Sequence, residues 1–165
     1  MESWKQTVAE LATARGLALK RHAFLLCGDG SRAEDLVQEA FVRAFARPLR
    51  APRPGKAEAY VRTIMVNLYV DETRRRSRWA RIAPLLATRR VAADPADLVA
   101  SRDAMLTALS GLSPRQRACV VLRYYEDQPV AEIAKALGVA EGTVKGYLSE
   151  ALTQMAVRLS AAERG

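Results

Sequence analysis

The stretch that most restricts how this chain can fold runs from Val130 to Leu152, VAEIAKALGVAEGTVKGYLSEAL. Apolar residues recur at Val130, Ile133, Ala134 and Leu137, then at Val144, Leu148 and Leu152, the three-and-four spacing of a buried helical stripe. Gly138 separates the two runs. A glycine there suits a left-handed helix end, after which Val139 can turn inward and seat a second helix against the first. The pattern predicts a helix-turn-helix. In that motif the head of the second helix faces base edges in a DNA major groove. The residues so placed here are Glu141, Thr143, Lys145, Gly146, Tyr147 and Ser149. The alternative is an ordinary helical hairpin; the polar face of the second helix and the basic charge of the chain speak against it.

The charge is unevenly placed. Of the net +8, residues 1–100 carry a surplus of seven and residues 101–165 a surplus of one. Residues 62–90 alone hold eight arginines (62, 74, 75, 76, 78, 81, 89 and 90) against Asp71 and Glu72. A cluster that dense predicts a polyanionic partner, because each neutralised phosphate releases counterions. From Arg81 onward the alternative is a solvated basic linker. Chemistry finds little to work with: His22 is the only histidine, Cys27 and Cys119 are isolated thiols in apolar helical context, and no glycine-rich phosphate loop occurs. Hydrolytic triads, metal sites and cofactor sites are therefore not expected. No apolar run approaches membrane-spanning length and no secretory leader is recognisable, so a soluble, cytoplasmic protein is expected.

Taken in order, residues 4–26 are amphipathic, with Val8, Leu11, Ala12, Leu19, Ala23 and Leu26 at helical intervals and Gly16 as an interruption. Cys27-Gly28-Asp29-Gly30 ends this segment, and Ser31 with Glu34 predicts a capping box that starts a new helix near Arg32. Its apolar stripe is Ala33, Leu36, Val37, Ala40, Phe41, Ala44 and Phe45. That leaves Asp35, Gln38, Glu39, Val42 and Arg43 outside, a mixed face that suits either a protein partner or solvent. Residues 47–56 are proline-rich and predict a loop. A long helix follows from Ala57 to about Trp79, with Tyr60, Val61, Ile64, Met65 and Leu68 inward and Asn67 at the stripe's edge. An asparagine so placed either bonds to backbone or matches the donor–acceptor edge of a nucleobase. The helix finishes in arginines whose spacing wraps around it, a natural use of which is phosphate contact. Residues 80–97 lose periodicity and predict a basic interdomain linker. The remainder, 98–165, predicts four helices, one of them begun by Ser113-Pro114-Arg115-Gln116 with a serine cap and proline in the first turn. No segment alternates as a strand does. The expected fold class is all-α, two small helical domains (1–79 and 98–165) on a flexible linker.

Four blocks together carry a family resemblance: DLVQEAFVRAF (35–45), AYVRTIMVNLYVDETRRR (59–76), LSPRQRACVVLRYYED (112–127) and AEIAKALGVAEGTVKGYLSEAL (131–152). In this order they resemble an extracytoplasmic-function sigma factor, and are most similar to the actinobacterial SigE-like group, over roughly residues 15–160. The resemblance implies a protein that binds core RNA polymerase and directs it to promoter DNA. It implies that Asp35, Gln38, Glu39, Val42 and Arg43 meet the polymerase clamp. It places the loop at 47–56 with Asn67, Arg62, Arg74, Arg75, Arg76 and Arg78 on the −10 element, and the helix-turn-helix with Arg115 on the −35 element. An anti-sigma factor is a further partner that the family allows, and no enzyme activity, cofactor or membrane contact is implied. Tyr60, Ala140, Gly146 and Glu150 depart from the family's usual residues, leaving the DNA-reading helix less positive than many. A LuxR-type regulator reading duplex DNA is the rival, since SPRQR, AEIA, LGV and GTVK also suit its DNA-binding domain. Such a protein carries a strand-containing sensor in front, and residues 1–97 show no strand pattern.

Overall fold

The structure, a computed structural model, describes residues 2–49, 54–82 and 100–165. Among the described residues every regular element is helical: α1 Glu2–Cys27, α2 Gly30–Ala46, α3 Pro54–Ile82, α4 Ala100–Ser110, α5 Pro114–Val120, α6 Val130–Leu137 and α7 Glu141–Glu163. The fold class is all-α, as the apolar spacing predicts. The described residues group into two compact units, one holding those up to Tyr69 with Ala136–Gly138, the other holding those within Val70–Lys135 and Val139–Gly165.

In the first unit α1 buries Trp4, Val8, Leu11, Leu19, Ala23 and Leu26, and α2 buries Ala33, Leu36, Ala40 and Ala44. The alanines on α2 keep that face shallow. From α3 come Ala57, Val61, Met65 and Leu68. Trp4 ties all three helices together: its indole N–H donates to the Ala44 carbonyl at 2.7 Å, and its ring meets Tyr60 edge-on at 5.9 Å. An indole buried with its one donor satisfied contributes area at no polar cost.

Three local expectations change. Gly16 does not interrupt α1, which continues through it; a single glycine weakens a helix by about 1 kcal/mol without ending it when both flanks are packed. The cap of α2 is Asp29, not Ser31. Gly28 takes a left-handed φ of 70° and delivers Asp29 in extended conformation, so its carboxylate accepts from the Arg32 amide at 3.0 Å. Ser31 is already helical, and Glu34 pairs with Lys20 instead of reaching back. Finally, α3 begins at Pro54 and runs on to Ile82, so the predicted loop is shorter and the helix longer than the pattern indicates. Ala12 and Phe45, expected inward, are exposed. Of the expected linker 80–97, residues 80–82 belong to α3, and the rest lies outside the described residues, as do positions 50–53 of the proline-rich loop.

Besides the end of α3 from Val70, the second unit holds α4, α5, α7 and most of α6, and it buries Leu109, Leu112, Cys119, Val121, Leu122, Ile133, Val144, Ala151 and Met155. The Ser113 capping box is complete: Ser113 Oγ accepts from the Gln116 amide at 3.2 Å, and Gln116 Oε1 accepts from the Ser113 amide at 3.1 Å. Beyond α5 the chain widens into a π-helical turn, Val121–Tyr125, closed by the Glu126 amide on the Val121 carbonyl at 3.1 Å. The wide turn rotates the side chains after it about the helix axis. Tyr125 is therefore exposed beside Tyr124. Asp127 ends the turn in the left-handed region at φ 53°. The thiol of Cys119 sits in the core, and burial pushes its pKa up to about 11 against the opposing pull of Arg115. Cys27 is half-buried, its thiol donating to the Ala23 carbonyl at 3.0 Å.

Candidate nucleic-acid interface

The helix-turn-helix forms as the glycine demands. Gly138 has φ 65°, and the Val139 amide reaches the Ala134 carbonyl at 3.1 Å, the six-to-one bond of a Schellman end. Ile133 and Ala134 of α6 and Val144 and Leu148 of α7 are buried; Ala151 and Met155 then continue the stripe in place of Leu152, which is 44% exposed. The head of α7 consequently presents Glu141, Thr143, Lys145, Gly146 and Ser149 to solvent, with Tyr147 half-buried. Nothing lies within 4 Å of the positions that side chains at Gly142 or Gly146 would take, so this face is open.

Two adjacent residues at the start of α5 brace that face. Arg115 Nη1 donates to the Tyr147 hydroxyl at 3.3 Å, and Gln116 Nε2 donates to Glu150 Oε2 at 3.0 Å. Tyr147 and Glu150 are one turn apart, so the two bonds form neighbouring rungs and fix the rotation of α7 against α5. Arg115 and Tyr147 are thus brought together. The part of Gln116 and Glu150 escapes sequence reasoning, because a bond between residues so distant in the chain leaves no local pattern.

In the first unit, an open cleft of about 470 Å³ lies between the end of α2 and the middle of α3, lined by Arg43, Ala46, Arg47, Tyr60, Ile64 and Asn67. The Tyr60 hydroxyl donates to the Arg47 carbonyl at 3.1 Å, which holds the end of α2 beside α3 and keeps the cleft's wall in place. Asn67, which lines it, is half-buried. Arg43, expected on the clamp-facing side, lines the same cleft. Arg47, Tyr60 and Ile64 carry no functional signal in the sequence; the aromatic at 60 inside an apolar stripe reads there simply as core.

About two turns beyond Asn67 on α3, Arg74, Arg75, Arg76 and Arg78 are exposed. Only Arg76 has an acidic partner among the described residues, Glu72 at 3.0 Å. Arg62 is placed differently. Its side chain is largely buried and pairs with Glu58 at 2.6 Å, a carboxylate shared with Arg15 at 3.1 Å. The same guanidinium faces His22, whose pKa burial and this charge push down from 6.5 to about 4, so the imidazole is neutral in the core. On α2, Asp35, Gln38, Glu39, Val42 and Arg43 all lie on the solvent side; Val42 is 61% exposed and Glu39 pairs with Arg43 at 3.0 Å. No group of acidic, histidine or cysteine residues suited to a metal ion occurs among the described residues, and no helix there is long and apolar enough to cross a membrane.

Comparison with known proteins agrees with this layout. The family model "Sigma-70 region 2" matches residues 11–79, and "Sigma-70, region 4" matches residues 102–155. The chain is 34% identical to the RNA polymerase sigma-E factor of Streptomyces coelicolor over 158 residues, covering 92% of this chain and 85% of that protein. It is 35% identical to the ECF RNA polymerase sigma factor SigL of Mycobacterium tuberculosis over 174 residues, covering 95% and 93%. Among solved structures, the sigma factor RpoE of Bartonella quintana, seen in complex with the anti-sigma factor NepR, superposes with a TM-score of 0.69 at 26% identity, over 97% of this chain and 98% of that one. A LuxR-type regulator is not favoured, since the amino-terminal half matches sigma region 2 and its described residues are helical. The order of the two regions, their helices and the length shared with these relatives lead to one conclusion: the chain belongs to the extracytoplasmic-function sigma factors, the transcription initiation factors that direct RNA polymerase to promoters.

Proposed function

We propose that three surfaces of this sigma factor divide the work of initiation. The outer face of α2, with Asp35, Gln38, Glu39, Val42 and Arg43, grips the clamp of core RNA polymerase. The cleft beside Asn67 receives an unstacked base of the −10 element while Arg74, Arg75, Arg76 and Arg78 hold the adjoining phosphates. The head of α7, with Arg115, reads the −35 element through Glu141, Thr143, Lys145, Gly146, Tyr147 and Ser149. Residues 1–79 and 98–165 act as the two functional domains and 80–97 as the strap between them. Arg62, engaged with Glu58, serves the core of the first unit rather than DNA. The protein acts in the cytoplasm, supplies no covalent chemistry of its own, and is held in check by an anti-sigma partner, as its relative RpoE is bound by one.

The observation that carries this proposal is the cleft: an opening of about 470 Å³ with an amide side chain in its lining and, further along the same helix, exposed arginines of which only Arg76 has an acidic partner among the described residues. Unstacking a base costs a few kcal/mol, and a pocket that accepts the base edge offsets that cost while selecting sequence. Duplex DNA by itself needs no such pocket. The test is promoter opening by the reconstituted holoenzyme across a salt series. Replacing Arg74, Arg75 and Arg76 by alanine is expected to weaken opening and to flatten the log–log salt slope by roughly 0.9 for each phosphate no longer neutralised. An unchanged slope removes the arginines from the promoter.

A further inference from the structure

We infer that Glu150 reads the exocyclic amine of a cytosine in the −35 element, a specificity-determining role that rests on the reading of α7 proposed above. Thr143, Gly146, Tyr147 and Glu150 follow one another at three- and four-residue steps, so they share one stripe of α7. The first three belong to the proposed −35 surface, and Glu150 extends it by one turn. It is exposed and forms no ion pair among the described residues. Its carboxylate is nevertheless aimed. Gln116 is 7% exposed and its Oε1 is taken by the Ser113 amide, so its Nε2 points across to Glu150, where it donates to Oε2 at 3.0 Å. Among the described residues Oε1 of Glu150 has no such bond and stays open to a donor from outside.

A carboxylate on a face that meets DNA is a liability, because the phosphates repel it. Glu141 escapes part of that cost by sitting in the first turn of α7, where the positive end of the helix favours it; Glu150 lies mid-helix without that help. Only a donor offsets the repulsion. In the major groove guanine and thymine present acceptors and no donor, and adenine sets its amine beside the N7 acceptor, which repels a second carboxylate oxygen. Cytosine presents its N4 amine with no acceptor of its own alongside, so an ionised glutamate selects cytosine. Gly146, one turn earlier, leaves the approach clear, since nothing lies within 4 Å of where a side chain there would stand.

The test presents holoenzyme, core RNA polymerase loaded with the full chain, with a library of promoter duplexes randomised across the −35 segment, and sequences those it captures. Wild type is expected to enrich cytosine at one position, about tenfold over guanine or thymine. Glu150→Gln keeps an acceptor for Gln116 and adds a donor, so that position is expected to move towards adenine while the others hold. Glu150→Ala is expected to make the four bases equal there and to raise capture of unselected duplexes severalfold, because a charge repelled by phosphate is gone. A side chain that only braced the helix would instead weaken capture at every position alike. Circular dichroism confirms that the variants keep their helices. No cytosine enriched by wild type, the same cytosine preference in both Glu150 variants, or a uniform loss across the segment overturns the assignment. Lys145→Ala separates the two proposals. If it erases the −35 preference while both Glu150 variants keep the cytosine, the reading of α7 stands and the role of Glu150 falls. If neither Lys145→Ala nor the Glu150 variants alter the enriched sequence, both fail.

Discussion

At the scale of single residues, two positions show how burial and openness decide what a substitution does. Gly146 sits inside α7 with empty space around it, so packing does not require a glycine there. Glycine in a helix interior costs up to about 1 kcal/mol relative to alanine, so Gly146→Ala is expected to raise stability by roughly that amount. If the open face is where DNA approaches, the same variant binds a −35 duplex more weakly, and thermal melting beside duplex titration reports both. His22 behaves in the opposite sense. Its folded pKa of about 4 lies below the unfolded 6.5, so well above pH 6.5 both states are neutral and the group contributes nothing to pH dependence. As pH falls from 6.5 towards 4 the unfolded chain takes up a proton that the folded one refuses, and stability drops by about 3 kcal/mol. Denaturant midpoints at pH 7 and pH 4.5 are expected to show that fall for wild type and a smaller one for His22→Leu. The sequence marks Gly138 clearly, because glycine after a periodic run has one common use. It says nothing of His22's burial, which depends on helices brought together by the fold.

Helices and their ends were legible in proportion to how local their signals are. The Ser113 capping box and the Gly138 end are written within a few residues and appear as expected. Asp29 displaced Ser31 as the cap of α2 because the left-handed Gly28 re-aimed the chain just before it, a backbone event with no side-chain signature. The π turn at Val121–Tyr125 likewise shifts the phase of a stripe that reads as continuous, which is why Tyr125 faces solvent. Gln116 is legible in one of its roles and hidden in the other. It completes the capping box and, unannounced by the sequence, also holds Glu150 on α7. Gln116→Ala is therefore expected to lose stability by about 1–2 kcal/mol, more than a cap substitution that touches α5 alone. It is also expected to loosen −35 recognition, because α7 loses one of its two rungs. Chemical denaturation compared with Ser113→Ala checks the first point, and duplex binding the second.

For the molecule as a whole, the all-helical class and the sigma family follow from motif order, since four blocks in one sequence restrict the fold far more than any of them alone. The cleft of the first unit was only half visible. Asn67 was in view from its place at the edge of a stripe, while Arg47, Tyr60 and Ile64 join it through a bond between the Tyr60 hydroxyl and a backbone carbonyl that no residue pattern encodes. Charge behaves alike at larger scale: the arginine surplus is plain in the composition, but only the fold separates Arg62, spent on Glu58, from the exposed arginines of α3. The claim that joins these scales is that one chain recruits polymerase and selects promoters through separate surfaces. Run-off transcription with purified actinobacterial core RNA polymerase, on a genomic template with the start sites sequenced, measures it directly. Discrete starts that appear only with the chain present, share −35 and −10 sequences and lose their −35 preference with Lys145→Ala are the expected result. A chain that binds the polymerase yet yields no start beyond those of core enzyme alone contradicts it.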